Sequence, residues 1–547
     1  MRSLHLLFWM VISSVLALAS ILTLLPFMAL STYGFLLDGD IVIYLTVLEQ
    51  GVSGLFSFFY THVMGRYSII LIHGSITELF QILGVNPWHW NGGMATLYYL
   101  AQVGSLVWLY RTVFPTLRWS FAIALATMPL AALITVINDK QALWPGAMYI
   151  YALSFALYVF FIVLFIRFYD KRGFGLASSI VLCVVFFFYV GTHELSVIPM
   201  GFFLIFVAAL ALDYRSSGQP FSVIFPFSKI RIGVSLRPSF DNLAFILTVC
   251  ALGILLCVSA WLQITSPSVA ARAGYWPAAM TVWEAFFRAL PVFLTLVERF
   301  FDLSRPYFIV IFLLVFFVAR TVPLRPSLMG RGRYLILVPV VVFVVLAYVG
   351  VMTSLIMLGR PIPRVEHYML SYGYVAFACL AIFLAVTLPK RWISARWASV
   401  AALVTVAQLG SVFWNDPGYR GAVDEATGPG FDFSRRVAER TRIMERAKGG
   451  TAYIRELERP THWVQGIIHG PNTEQAFQAA IARGFGVKKV VFMPCGGSID
   501  PLWCHYRFNP LDGGAPEIMP PHQYLGPGIK IQEKRMLKAK EAKEAKQ

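Results

Sequence analysis

Charged side chains are scarce in this sequence: they make up 13% of its 547 residues, against 58% hydrophobic. A soluble protein carries roughly a quarter of its residues as charges, so a water-solvated globule is excluded and lipid is left as the main solvent. Acids are scarcer than bases, with 28 Asp and Glu against 45 Lys and Arg and a net charge of +17. In a soluble chain that excess would point to nucleic acid. Here the basic residues sit in short segments between apolar runs, where they set membrane orientation, and no nucleic-acid partner is expected. Cysteine is sparse as well. Of six, Cys183, Cys250, Cys257 and Cys379 lie within apolar runs, whereas Cys495 and Cys504 lie in hydrophilic sequence and can bridge only in an oxidising compartment. No internal repeat is visible, which counts against the repeat-built transporters.

What is present is a series of long apolar runs. Eleven are bounded by polar residues: Leu4–Leu30, Gly92–Tyr110, Phe121–Ile137, Ala147–Ile166, Leu176–Val190, Val197–Leu212, Leu243–Leu262, Tyr307–Ala319, Tyr334–Leu358, Tyr368–Leu388 and Ala398–Trp414. The first exceeds a signal-peptide core in length and is followed by many more, so a retained helix is expected. The runs beginning at Leu176, Val197 and Tyr307 fall short of the roughly 20 residues a full crossing wants, so their ends extend into flanking sequence or the helices are broken.

A twelfth segment, Ile69–Val85, decides the topology. Ile69, Ile72, Ile76, Phe80 and Leu83 follow helical spacing, while His73, Thr77, Glu78 and Gln81 form an opposite polar stripe, so the segment is expected to lie on a membrane and not to cross it. That choice puts five basic loops on one side, carrying among others Arg111, Arg167, Lys229, Arg320, Arg325 and Lys390, as the positive-inside rule requires. Eleven crossings follow, with a cytoplasmic amino end and an outer carboxyl end, which in a bacterium means a multi-pass inner-membrane protein facing the periplasm. The first outer loop, 31–91, is long, and the tail from Asn415 is outside. Cys495 and Cys504 then share an oxidising space and are expected to form a disulfide.

Polar residues near the outer ends of the runs form a short set: Asp38 and Asp40 in GFLLDGDIVIY, Gly65-Arg66-Tyr67, Asn138-Asp139-Lys140, His193-Glu194, and Arg360 and Arg364 in GRPIPR. Carboxylates beside cations at one membrane surface supply a base and an anion clamp, which suits chemistry on a phosphate-bearing lipid. Each also has a plainer reading. The acids mark a water-exposed span end or an N-cap, Arg66 is a snorkelling anchor, and Asn138-Asp139-Lys140 is a solvated turn. His193-Glu194 occupies a hairpin turn where Ser or Gly would cost less, and Arg360 and Arg364 lie outside against the charge rule.

The long first loop with its acidic pair, interfacial helices after it, about a dozen spans and an external carboxyl-terminal domain together resemble the GT-C superfamily of membrane glycosyltransferases. Asp38-Gly39-Asp40 looks like that family's acidic motif, with a glycine between acids that are adjacent in many members, and Gly65-Arg66 looks like a pair in the first loop of bacterial glucosyltransferase-like members. The resemblance implies an all-α membrane domain over 1–414 that moves one sugar from a polyprenyl-phosphate carrier to an envelope glycan, lipid or protein acceptor at the outer face, with inversion as is usual for family members of this kind. It implies Asp40 or Asp38 as general base, Arg360, Arg364, Arg66 and Lys140 as donor-phosphate ligands, and His193, Glu194 and Tyr67 as substrate-binding residues. Some relatives hold a divalent cation through such acids, here Asp38, Asp40 and Glu194, and others use none.

The tail turns charged and Gly/Pro-rich. Helices are expected over 431–448 and 473–485 and a strand over 487–494, giving a small periplasmic α/β module over 415–532, then a charged tail over 533–547. It either caps the membrane domain or binds a glycan through Trp463, Trp503 and Tyr506. No nucleophile elbow or phosphate loop occurs in it. The alternative function is a multi-pass transporter or flippase for a lipid-linked or anionic substrate. A polysaccharide polymerase or ligase would carry its key residues in late loops, whereas the acids here come first.

Overall fold

The computed structural model describes residues 2–33, 38–137, 145–170, 176–211, 223–224, 231–232, 240–269, 279–359, 363–389, 395–455 and 475–493. Asn138, Asp139, Lys140, Arg360, Trp463, Cys495, Trp503, Cys504 and Tyr506 lie outside the described residues, and for Asp38, Asp40 and Arg364 only the helical backbone is described.

The chain is built of helices, and each apolar run is one. In order they are α1 (Arg2–Tyr33), α2 (Asp38–Phe58), α3 (Tyr67–Ile82), α4 (Pro87–Val113), α5 (Trp119–Ile137), α6 (Pro145–Asp170), α7 (Leu176–Val190) and α8 (Val197–Ala211). A two-residue hairpin pairs β1 (Val223–Ile224) with β2 (Arg231–Ile232) before α9 (Phe240–Ile264), α10 (Val282–Glu298) and α11 (Tyr307–Thr321). Then come α12 (Val338–Leu358), α13 (Pro363–Thr387) and α14 (Ala395–Asn415).

Among the described residues, α5, α6, α9, α12 and α13 are long and apolar enough to cross a membrane, while α1, α7, α8, α11 and α14 contain shorter apolar stretches. This is the make-up of a multi-pass membrane protein. Helix α4 has the length, at 27 residues, but is studded with polar groups. Asn91, Gln102, Ser105 and Thr112 are buried, on a helix packed against α1, α5 and α6, so they are kept from lipid. At 15 residues α7, α8 and α11 reach only about 22 Å. Helix α8 is lengthened at its start by the 3-10 turn Glu194–Ser196.

A buried tyrosine layer knits the bundle centre. The Tyr372 hydroxyl donates to Tyr189 at 3.1 Å, and the Tyr158 ring lies 4.5 Å from that of Tyr372. At the basic end, Arg320 Nη1 donates to the carbonyls of Ala385 and Leu388, both at 2.8 Å, closing the carboxyl end of α13 where its last carbonyls lack helical partners.

The first loop folds as an antiparallel hairpin of α2 and α3. Gly51, at φ 68°, breaks α2 where only glycine is comfortable, beneath the Glu78 carboxylate. Gln81 Nε2 donates to the Tyr44 carbonyl at 2.6 Å, and Gly74 packs against Val52 and Leu55, so the start of α2 lies beside the end of α3. Helix α3 is amphipathic, but its faces are not divided as expected: His73 and Thr77 of the polar stripe are buried together with Ile69 of the apolar one, while Leu79, Ile82 and Leu83 at its end are 53%, 77% and 66% exposed. A helix bordered by lipid gains by hiding its hydrogen-bonding groups: His73 Nδ1 meets the Tyr98 hydroxyl, and Trp90 Nε1 donates to Thr77 Oγ1 at 3.2 Å. Burial pushes His73 down to about 3, so the ring is neutral. Helix α10 is likewise amphipathic, opened by a Thr281–Glu284 capping box, with Trp283 and Phe287 exposed.

Beyond Asn415 the chain makes α15 (Pro417–Thr427), α16 (Pro429–Arg446), β3 (Thr451–Arg455), α17 (Gln475–Phe485) and β4 (Lys489–Met493), with β3 and β4 parallel and Thr451 opposite Lys489. The sequence reading anticipated α16, α17 and β4 but not α15 or β3. Asp416 caps α15 by accepting from the amides of Gly418 and Tyr419. The module lies on the first loop: α15 and α16 pack on α1, and α17 packs on α2. Asn86 Nδ2 donates to Glu445 at 2.8 Å, and Arg483 pairs with Glu49 at 3.0 Å.

Candidate functional site

Two polar regions occupy the end of the bundle that carries the α2–α3 hairpin. The first forms where α3 begins. Gly65 lets the chain run so close to the end of α9 that a Cβ would stand 2.9 Å from the Gln263 carbonyl oxygen. Gly191 is tighter still, since a Cβ there would press on Ser68 Oγ and on the Tyr67 ring, with Cε2 at 2.6 Å. These approaches deliver Arg66 and Tyr67 onto the α7–α8 turn. Arg66 Nε donates to Glu194 Oε2 at 2.8 Å, with the two side chains 15% and 33% exposed. Burial by itself would raise the Glu194 carboxyl, but the Arg66 charge beside it wins and holds it down to about 2.

His193 Nδ1 stands 3.6 Å from the same carboxylate oxygen, yet it accepts from the Leu195 amide at 3.1 Å. That nitrogen therefore carries no proton, and the carboxylate's charged partner is Arg66. Tyr67 donates its single hydroxyl proton to the Phe187 carbonyl at 3.2 Å and so accepts from Ser259 at 2.7 Å. Gln263 Nε2 donates to the Val190 carbonyl at 2.7 Å. The result is a half-exposed carboxylate in a rigid frame, suited to accepting hydrogen bonds from a polyol.

The second region is a groove of about 570 Å³ beside the start of α2, between α1, α3, α4 and α16, a volume in the range of small-molecule sites. Thr32, Tyr33, His89, Thr96 and Ser434 give it polar groups, and Leu97 and Leu100 lead down to the exposed apolar flank of α4. The early part of α2 reaches the same end of α4. Tyr44, whose ring lies 5.8 Å from Trp90 and whose hydroxyl donates to the Val85 carbonyl at 3.0 Å, follows Asp40 by one turn, about 6 Å of helix.

The expected site residues thus divide. Arg66, Tyr67, His193 and Glu194 come together. Asp38 and Asp40 do not join them, because the hairpin sets the start of α2 beside the end of α3 and Arg66 at its beginning, about 22 Å of helix away. One cation reaches ligands within about 2.6 Å of itself, so Asp38, Asp40 and Glu194 cannot share one, and the expected three-acid metal set does not fit this chain. No cluster of His, Cys, Asp and Glu able to hold a metal occurs among the described residues. Arg364 opens α13, whose Tyr372, about 12 Å further along, bonds Tyr189 near the α7–α8 turn.

An ion pair and part of the groove lining were not foreseen from sequence. Arg305 stands 3.8 Å from the buried Asp416 and donates to the Thr135 carbonyl at 3.2 Å, tying the ends of α5, α11 and α14. The groove residues Thr32, His89 and Thr96 were also missed. The Asn86-Pro87 pair, a helix-start signal ahead of His89, was the available clue.

No family model and no curated protein matches the chain. Among solved structures it is similar to the arabinofuranosyltransferase AftD from Mycobacteria, determined by single-particle cryo-EM, at 13% identity and a TM-score of 0.39 over 88% of this chain and 32% of that one. The chain therefore spans about a third of the length of that protein.

Proposed function

We propose that this chain is an integral membrane glycosyltransferase that moves one sugar from a polyprenyl-phosphate donor to an envelope glycan, lipid or protein acceptor at the periplasmic face. What carries the reading is the acidic pair at the head of α2, near a groove that joins polar hydroxyl-binding groups under a capping module to an apolar slope in the membrane. A lipid-linked sugar needs both surfaces at once.

In this mechanism Asp40, or Asp38 before it, takes the proton of an acceptor hydroxyl as its oxygen attacks the anomeric carbon. The bond from that carbon to the phosphate oxygen breaks, and the polyprenyl phosphate leaves with its added negative charge. Inversion follows from attack opposite the leaving group. Arg360, Arg364 and Lys140 are assigned to the departing phosphate by charge-assisted hydrogen bonds. Arg66 takes a different part from the one its sequence context implied: bonded to Glu194 and far from α2's start, it leaves the donor-phosphate set and, with Tyr67 and His193, shapes the α7–α8 turn.

The test compares cells making the native protein with cells making Asp40→Asn or Asp38→Asn, measuring polyprenyl-phosphate sugars by lipid mass spectrometry and envelope linkages in parallel. One carrier-linked sugar should accumulate while one linkage disappears. Unchanged lipids and glycans, with the variants inserted and folded, would remove the acids from catalysis and favour a transporter.

A further inference from the structure

The groove of about 570 Å³ between α1, α3, α4 and α16 carries no fixed charge on its walls. Its polar side chains are the hydroxyls of Thr32, Tyr33, Thr96 and Ser434 and the imidazole of His89, and among the described residues no Lys, Arg, Asp or Glu lines it. Two charges beside Ser434 on α16, Asp432 and Arg435, pair with one another at 3.9 Å, both largely exposed.

Gly92 and Gly93 line the groove with bare backbone. A Cβ at Gly93 would stand 2.9 Å from Phe80 Cε2, and one at Gly92 3.3 Å from Thr32 Cβ, so close approach of α4 to α3 and α1 depends on both glycines. The Tyr33 ring is held edge-on by Phe431 of the tail module, centroid to centroid 6.2 Å. Thr32 Oγ1 gives its proton to the Ala29 carbonyl at 2.7 Å and is left to accept from a ligand. Aromatic rings beside hydroxyls match a polyol, whose C–H faces pack on the rings while its own hydroxyls both donate and accept. A carboxylate or ammonium brought into the same groove leaves water and meets no counter-charge, whereas a hydroxyl exchanges one set of hydrogen bonds for another.

We infer that the sugar this groove takes is uncharged, a pentose or hexose bearing neither a carboxylate nor an amino group. The inference rests on the glycosyltransferase reading, which seats a carrier-linked sugar in the groove and assigns its phosphate to other residues.

The experiment is native mass spectrometry of the full chain in detergent, titrated with farnesyl phosphate carrying xylose, glucose, glucuronic acid or glucosamine. The first three differ only in the group on C5, which is hydrogen, hydroxymethyl or carboxylate, and the phosphate is common to all. The better-held of xylose and glucose should bind about tenfold or more tightly than either charged sugar. Ser434→Lys, which sets a cation on the groove wall, should raise retention of the glucuronic acid form severalfold relative to glucose. A charged sugar held as tightly as the better neutral one by the native chain would overturn the inference alone, and that comparison does not depend on the variant folding. An unchanged ratio of glucuronic acid to glucose in folded Ser434→Lys would overturn the groove as the seat of the sugar. Retention of none of the probes would remove the glycosyltransferase reading and the inference with it.

Discussion

Replacing Arg66 by glutamine removes the charge that holds Glu194 ionised while leaving a side chain of similar length against the α7–α8 turn. The Glu194 carboxyl falls from its ordinary 4.5 to about 2 beside Arg66, and a difference of that size corresponds to about 3.4 kcal/mol of stabilisation in the ionised state. Because the Glu194 side chain is 33% exposed, solvent screening cuts the contribution to about 1–2 kcal/mol. The sign follows from a depressed carboxyl: the stabilisation is complete above pH 4.5 and is lost as pH falls toward 2. By pH 3.5 roughly two-fifths of it is gone. Apparent Tm in detergent, followed at one scan rate by tryptophan fluorescence, should therefore be lower for Arg66→Gln at pH 7, and the gap to the native protein should narrow between pH 5 and pH 3.5. A gap that is constant over that range would mean that Arg66 acts by packing alone, and the electrostatic account of Glu194 would be wrong.

Gly191→Ala should destabilise by about 1–3 kcal/mol, since its Cβ would press on the Tyr67 ring. Gly104→Ala, where a Cβ meets nothing within 4 Å, should be neutral or stabilising by up to about 1 kcal/mol, and urea or thermal titration of the pair separates crowding from helix propensity. Asp416→Ala removes the α15 cap and the partner of Arg305, and should cost about 1–2 kcal/mol and loosen the tail module to limited proteolysis. A double-mutant cycle on Glu49 and Arg483, both largely exposed, should return a coupling below about 1 kcal/mol that vanishes in high salt. A larger, salt-resistant coupling would show that the module is locked to α2 by more than a surface pair.

The helices of the bundle could be read from residue type alone because a run of apolar residues in lipid has one way to satisfy its backbone, and Leu176–Val190 was legible to the residue. The tail was partly legible. Phe431–Lys448 announced α16 by its amphipathic spacing, but β3 is five residues, TAYIR, whose strand character depends on pairing with β4. The burial of α3 was only partly legible. Ile69 is buried as its apolar spacing suggests, but His73 and Thr77 are buried too, because Tyr98 and Trp90 wait there with hydrogen-bond partners.

The sequence by itself determined a lipid-solvated helical bundle, the long first loop and the gathering of Asp38, Asp40, Arg66, His193, Glu194, Arg360 and Arg364 near span ends, because burial and charge placement along a membrane normal follow from local composition. Only the tertiary structure decided which of these meet across the membrane plane. Lateral position depends on how helices cross and on close approaches at Gly65 and Gly191, contacts between residues more than a hundred positions apart. These bring Arg66 to Glu194, while the α2–α3 hairpin carries the acidic pair to the far end of the same helix.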